Sequence, residues 1–197
     1  DQALYFAKES GRNYVCKYNQ TLTSAIEGNK EKVAELLLDR RLESMRALAS
    51  AVDAKSPYTR GHSDEVARYS MMIAVSLGLN DTEKESLRIA SLLHDIGTVS
   101  IPSNILNKPG PLNPEETKII RAHPELAEML LKKAPQLESV LPAILYHHER
   151  YDGAGYPNGL KGEDIPYLAR ILSVVEAYDA MISARPYKKK MTHEEAL

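Results

Sequence analysis

The chain is 197 residues long, with 43% hydrophobic and 26% charged residues and a formal net charge of −2. That balance excludes a disordered segment and a polybasic nucleic-acid binder, and no apolar run is long enough to span a bilayer. One cysteine, Cys16, excludes an internal disulfide and suits a reducing compartment, so a cytoplasmic location is expected.

In chain order, the only strand signal is the weak one at Tyr14–Tyr18. A long helix is expected over 21–54, where Leu38, Leu42, Met45, Ala49 and Val52 follow alternating steps of four and three. This stripe can pack on the domain that follows or pair two copies as a coiled coil, and both readings stay open. Further helices are expected at 63–77, closed by Gly78, and at 83–95, opened by a Thr82/Glu85 capping box and ended at Gly97. Asn113-Pro114-Glu115-Glu116 starts another, with proline at the first helical position. Helices at 125–133, 137–148 and 167–183 follow, with a Gly- and Pro-rich loop at 151–166. The fold class is therefore all-α, a helical bundle preceded by a long connecting helix.

There are six histidines: His62, His94, His123, His147, His148 and His193. His94 follows Leu87, Ala90 and Leu93 at helical spacing, and His147 follows Val140 and Ile144, so both point into the bundle. Burying such groups unpaired is costly. Several inward histidines with an inward Asp95 need a shared partner, and a metal ion is the economical one. Imidazole and carboxylate suit iron, manganese, zinc or nickel, and no second cysteine exists for a thiolate site. The two oxygens of Asp95 can bridge two ions. His147 and His148 lie about 100° apart on a helix, so both reach one ion only near a frayed end, which "RYDGAGYP" provides. A bridged pair of ions clamps a phosphoryl group and activates water for in-line attack.

"HDIG" at 94–97 and "HHERYDGAGYP" at 147–157 resemble the HD-GYP family of HD metal-dependent phosphohydrolases. "YTRGHS" at 58–63, "IPSNIL" at 101–106, "HPE" at 123–125 and "RPYK" at 185–188 match in order, so the resemblance covers about residues 45–197. It implies a helical bundle with two divalent ions, iron or manganese first and zinc, nickel or magnesium also compatible. The bundle would hydrolyse the bacterial second messenger cyclic di-GMP to pGpG or GMP. One ion would be held by His62, His94, Asp95 and Glu176; the other would share Asp95 and add His123, His147 and His148. Arg185 and Lys188 match basic positions that contact the substrate, and Gly155, Tyr156 and Pro157 form the naming motif, expected to shape the nucleotide pocket.

"DQALYFAKESGRNYV" is similar to the end of a GGDEF domain and includes none of its active-site motif. The implied organisation is a GGDEF-like remnant at 1–20, a connecting helix at 21–54 and an HD-GYP domain at 55–197 that is expected to be cut short. A GGDEF-like domain upstream and a homodimer through the connecting helix are the partners this implies, beside cyclic di-GMP.

Three positions depart from the family pattern. Thr98 stands where a lysine usually follows "HDxG", Glu176 stands in place of a metal-binding aspartate, and Tyr58 replaces a glutamate of three-metal members. Loss of the lysine removes a charge from the reacting phosphate, so turnover is expected to be slow. A module that binds metal and cyclic di-GMP without turnover is the alternative, and a related cyclic dinucleotide is a third. Asp179, one helical turn from Glu176, is expected to orient a ligand or the nucleophilic water, giving Asp95 and Asp179 as catalytic candidates.

Overall fold

A computed structural model describes residues 39–57, 59–183 and 190–196. The expected strand at Tyr14–Tyr18, Cys16, the GGDEF-like stretch, the helix before residue 39, Tyr58, Arg185 and Lys188 lie outside the described residues. The chain divides into two units, Asp1–Glu43 and Ser44–Leu197. Of the first, residues 39–43 are described, and they are helical.

The described residues of the second unit form helices and connecting loops, with no strand among them. The unit begins with α1 (44–53), followed by α2 (His62–Ser76), α3 (Asp81–Leu93), α4 (Ser103–Leu106), α5 (Pro114–Arg121), α6 (His123–Leu131), α7 (Leu141–Leu145), α8 (Tyr167–Ile182) and α9 (His193–Ala196). Of the expected stripe on α1, Ala49 and Val52 are buried. The core lies where α2, α3, α7 and α8 pack together, around Val66, Leu87, Leu93, Ile144 and Leu172. Each such side chain stabilises by about 1.5–3 kcal/mol relative to its exposed form.

Local sequence explains most boundaries. Gly78 takes φ 69°, and the following Leu79 amide donates to the Ala74 carbonyl, closing α2. α5 begins as expected, with Asn113 accepting from the Glu116 amide and Glu116 accepting from the Asn113 amide. The capping box of α3 is not Thr82/Glu85. Asn80 and Glu83 form it, both bonds at 2.9 Å, because the helix starts two residues earlier than its apolar pattern.

One expected helix is broken by proline. Residues 137–148 are not one helix: a 3₁₀ turn over Pro135–Val140 leads into α7, which has Pro142 in its first turn and ends at Leu145. Proline donates no amide and clashes with the carbonyl four residues before it, so the helix must restart there. Pro124 likewise sits in the first turn of α6, separating it from α5. Gly97 does not end α3, which stops at Leu93. It lies in a 3₁₀ segment, Ile96–Ser100, and its role is close approach. A Cβ at Gly97 would stand 2.0 Å from the His123 carbonyl oxygen and 2.7 Å from the Ala127 nitrogen.

The end of α1 is tied to two other segments. Asp53 is buried and accepts from the Ser63 amide at 3.0 Å and from the Ser63 hydroxyl at 2.8 Å, at the start of α2. The Lys55 ammonium donates to the carbonyls of Thr98 and Val99, each at 2.8 Å, and to that of Ile101.

Candidate metal centre

The three buried histidines that follow helices are held in the same way. His94 follows α3, His123 follows α5 and His147 follows α7, and each turns its Nδ1 back onto the carbonyl three residues earlier. The partners are Ser91 at 2.8 Å, Ile120 at 2.8 Å and Ile144 at 2.6 Å. A helix end leaves carbonyls without intrahelical partners, so an Nδ1–H donor satisfies one of them. The same bond fixes the tautomer, leaving each Nε2 as a lone pair aimed away from its helix. His62 is held through Nδ1 too, by the Asp179 carboxylate at 2.7 Å, the histidine–carboxylate pairing common beside metals.

The lone pairs converge. The ring centroids of His62 and His94 are 5.3 Å apart, those of His94 and His147 5.1 Å, and those of His147 and His148 4.1 Å. Nε2 of His123 and Nε2 of His147 face each other at 3.3 Å. His94 Nε2 is buried without a hydrogen-bond partner, and its nearest acidic oxygen, Oδ2 of Asp95, is 3.7 Å away. The other Asp95 oxygen lies 3.2 Å from His123 Nε2. Lone pairs opposed at such distances repel, and a cation among them turns each repulsion into attraction.

Among the described residues, donor atoms within 4.8 Å of one another form three groups: His62, His94 and Asp95; His123, His147 and His148; and His94, His147 and Glu176. Six of the seven expected ligands thus fall in two groups of three. Glu176 joins the histidines between them, and its Oε2 is 3.5 Å from His148 Nδ1. All seven meet in one place, with donor chemistry that fits divalent metal ions. His193 stands apart, on α9, with its Nδ1 2.5 Å from the Tyr178 hydroxyl.

Charge follows geometry. Burial, with neighbouring imidazoles, holds His94 and His147 below the usual histidine range and lowers His148 to about 3. Each of these shifts favours the neutral imidazole that ligation requires. Burial alone would do the same to His62 and His123, but Asp179 and Asp95 respectively reverse it. Burial pushes Asp95 up, yet His94, His123 and His62 outweigh it and hold the carboxylate well below its ordinary value.

The remaining expected residues surround this centre unevenly. Gly155 and Tyr156 line a cleft of about 380 Å³ with Arg121, His148, Arg150, Ser173 and Glu176. Tyr156 stacks on His148, centroids 4.7 Å apart at 26°. Pro157 and Thr98 do not line that cleft. The Thr98 amide donates to the Asp95 carbonyl at 2.9 Å, and its own carbonyl is taken by Lys55. Asp179 meets His62 and the Ser183 hydroxyl.

Sequence reasoning missed four residues. Asp53 and Lys55 anchor ligand-bearing segments. Glu149 is buried and accepts from the Asn158 and Gly159 amides at 2.7 and 3.0 Å, holding the Gly-rich loop. Arg121 lies over the Tyr156 ring, 5.2 Å from its centroid. A carboxylate directly after the paired histidines, ahead of a loop rich in amides, was the available signal for Glu149.

A profile of the HD domain family matches residues 44–197. The chain is 40% identical over 151 residues to a 3'3'-cGAMP-specific phosphodiesterase of Vibrio cholerae, covering 77% of this chain and 33% of that protein. It is 42% identical over 159 residues to a cyclic di-GMP phosphodiesterase of Pseudomonas aeruginosa, covering 79% of this chain and 38% of that one. The chain thus spans between a third and two fifths of the length of these relatives. A crystal structure of a cyclic GMP-AMP-specific phosphodiesterase of V. cholerae shares the fold, with a TM-score of 0.61 at 20% identity over 79% of this chain and 42% of that one.

Proposed function

The chain belongs to the HD domain family, and from that premise we propose that it is an HD-GYP phosphodiesterase acting on a cyclic dinucleotide. The observation that carries the proposal is the pair of histidine groups with Asp95 between them, one oxygen toward His94 and the other toward His123. In this reading Asp95 would be shared by two ions, with His62, His94 and Glu176 as the other residues that would hold one and His123, His147 and His148 those that would hold the other. Bound there, divalent ions would supply Lewis-acid charge to a phosphate and lower the pKa of water.

The chain's own residues do the rest. Asp179 holds the His62 ring by its Nδ1 and acts as a positioning residue rather than a proton carrier. Water attacks phosphorus in line, the ester P–O bond breaks, and the sugar hydroxyl departs with a proton. Gly155 and Tyr156 shape the wall on which a nucleotide rests, with Pro157, Arg185 and Lys188 as further substrate contacts carried over from the family motif. Cyclic di-GMP is the first substrate proposed. A relative named for 3'3'-cGAMP at 40% identity makes that dinucleotide the second.

Thr98 brings no charge to the phosphate, so hydrolysis is expected to be slow. Metal analysis of anaerobically purified protein, followed by turnover of both dinucleotides, tests the proposal. Bound iron or manganese with slow hydrolysis is the expected result, and Thr98→Lys raises the rate with metal content unchanged. Metal and dinucleotide binding with no turnover in either protein would make this a sensor module instead. Absence of metal would end the reading.

A further inference from the structure

The mouth of the cleft beside the metal centre carries two arginines of different standing. Arg150 is neutralised: its guanidinium makes two bonds to Asp152, at 3.1 and 2.6 Å, and holds that carboxyl down to about 2. Arg121, at the end of α5, forms no ion pair among the described residues. Its guanidinium lies over Tyr156, and its charge reaches both Tyr156 and His148, favouring the less protonated form of each.

Among the described residues, a further cation near the reacting end is already committed. Lys55 would be a natural substitute for a lysine at position 98, but its ammonium is engaged by the carbonyls of Thr98, Val99 and Ile101. Of the seven candidate ligands, only His148 and Glu176 line the cleft that holds Arg121. An anion gripped by Arg121 therefore sits beside the ions rather than on them.

We propose that Arg121 is the anion subsite for the second phosphodiester of a cyclic dinucleotide, the one that is not being cleaved. The inference rests on the phosphodiesterase reading above. A ring substrate has two phosphates, and seating one on the ions carries the other outward past His148 and Tyr156. A planar guanidinium matches two non-bridging oxygens with paired hydrogen bonds, which an ammonium cannot do. Tyr156 keeps the fork in place by taking the cation over its ring face. Specificity for a double phosphodiester over a single one follows.

Steady-state kinetics of the metal-loaded protein test this with two substrates: cyclic di-GMP, and bis(p-nitrophenyl) phosphate, which has one phosphodiester and no second anion. Arg121→Ala is expected to raise KM for cyclic di-GMP about tenfold while kcat stays within about threefold. KM for the single phosphodiester and the metal content stay unchanged, and Arg121→Lys recovers part of the loss. An unchanged KM for cyclic di-GMP, an equal loss on both substrates, or loss of metal overturns the proposal. If the wild type cleaves neither compound, the phosphodiesterase reading fails by itself, and calorimetric titration with cyclic di-GMP decides the subsite. Weaker binding by Arg121→Ala then supports it, and equal binding, or none by the wild type, overturns it.

Discussion

The histidine cluster and the cleft beyond Tyr156 are neighbours built on opposite plans. In the cluster, four histidines are locked through Nδ1, three to backbone carbonyls and one to Asp179. In the cleft, the wall is a loop turning through Gly153 at φ 81° and Gly159 at φ 71°, held from inside by one carboxylate, Glu149. The cluster draws its precision from helix ends, where unsatisfied carbonyls are available in fixed positions. The loop draws part of its shape from two backbone amides that converge on Glu149, with the Ala154 amide donating to Asp152. A site that must hold ions needs the first arrangement, and a surface that must fit a nucleotide can use the second.

If that division is right, damage to the two regions separates in assay. The largest effect is expected from Asp95→Ala, which removes the carboxylate that turns one oxygen toward His94 and the other toward His123. Activity should fall by at least about a thousandfold, and inductively coupled plasma analysis should find both ions depleted. Retention of two ions would break the comparison at its centre. Next is Gly97→Ala, which forces a methyl group into the His123 carbonyl at a site with no room for relaxation. Urea denaturation should show a loss of about 3 kcal/mol, accompanied by reduced metal content because His123 must shift. Smallest is Tyr156→Ala on the cleft side. It should raise KM for the dinucleotide several-fold while metal content stays at the wild-type level. Loss of metal in that variant would show that the stacked tyrosine supports His148, and the two regions would be one.

The centre was legible in the sequence to the extent that its residues sit at helical spacing from apolar neighbours. Leu87, Ala90 and Leu93 place His94 inward, and Val140 and Ile144 do the same for His147. What the spacing could not show is how the rings are held, because the Nδ1 bonds depend on where each helix stops. Pro124 sets one of those stops, that of α5, and reading 137–148 as one helix overlooked that α7 restarts beside Pro142 and stops at Leu145. The capping box was misplaced for a related reason: Asn80-Asp81-Thr82-Glu83-Lys84-Glu85 offers two overlapping cap patterns, and only packing selects Asn80. Lys55, Asp53 and Arg121 were silent because their partners are 10 to 46 residues away, or are an aromatic ring in another segment.

The bonds made by Asp53 and Lys55 turn the last turn of α1 into a two-pronged fork. One prong grips the segment that starts with His62 and the other grips the segment that follows Asp95. The two residues are neighbours on one short stretch of backbone, so a twist of α1 about its axis cannot move one prong without moving the other. Torsion in this helix would therefore be read out as a change in spacing between a histidine and a carboxylate of the same donor group. In mechanical terms the helix is a key whose bit is seated in the lock of the metal centre.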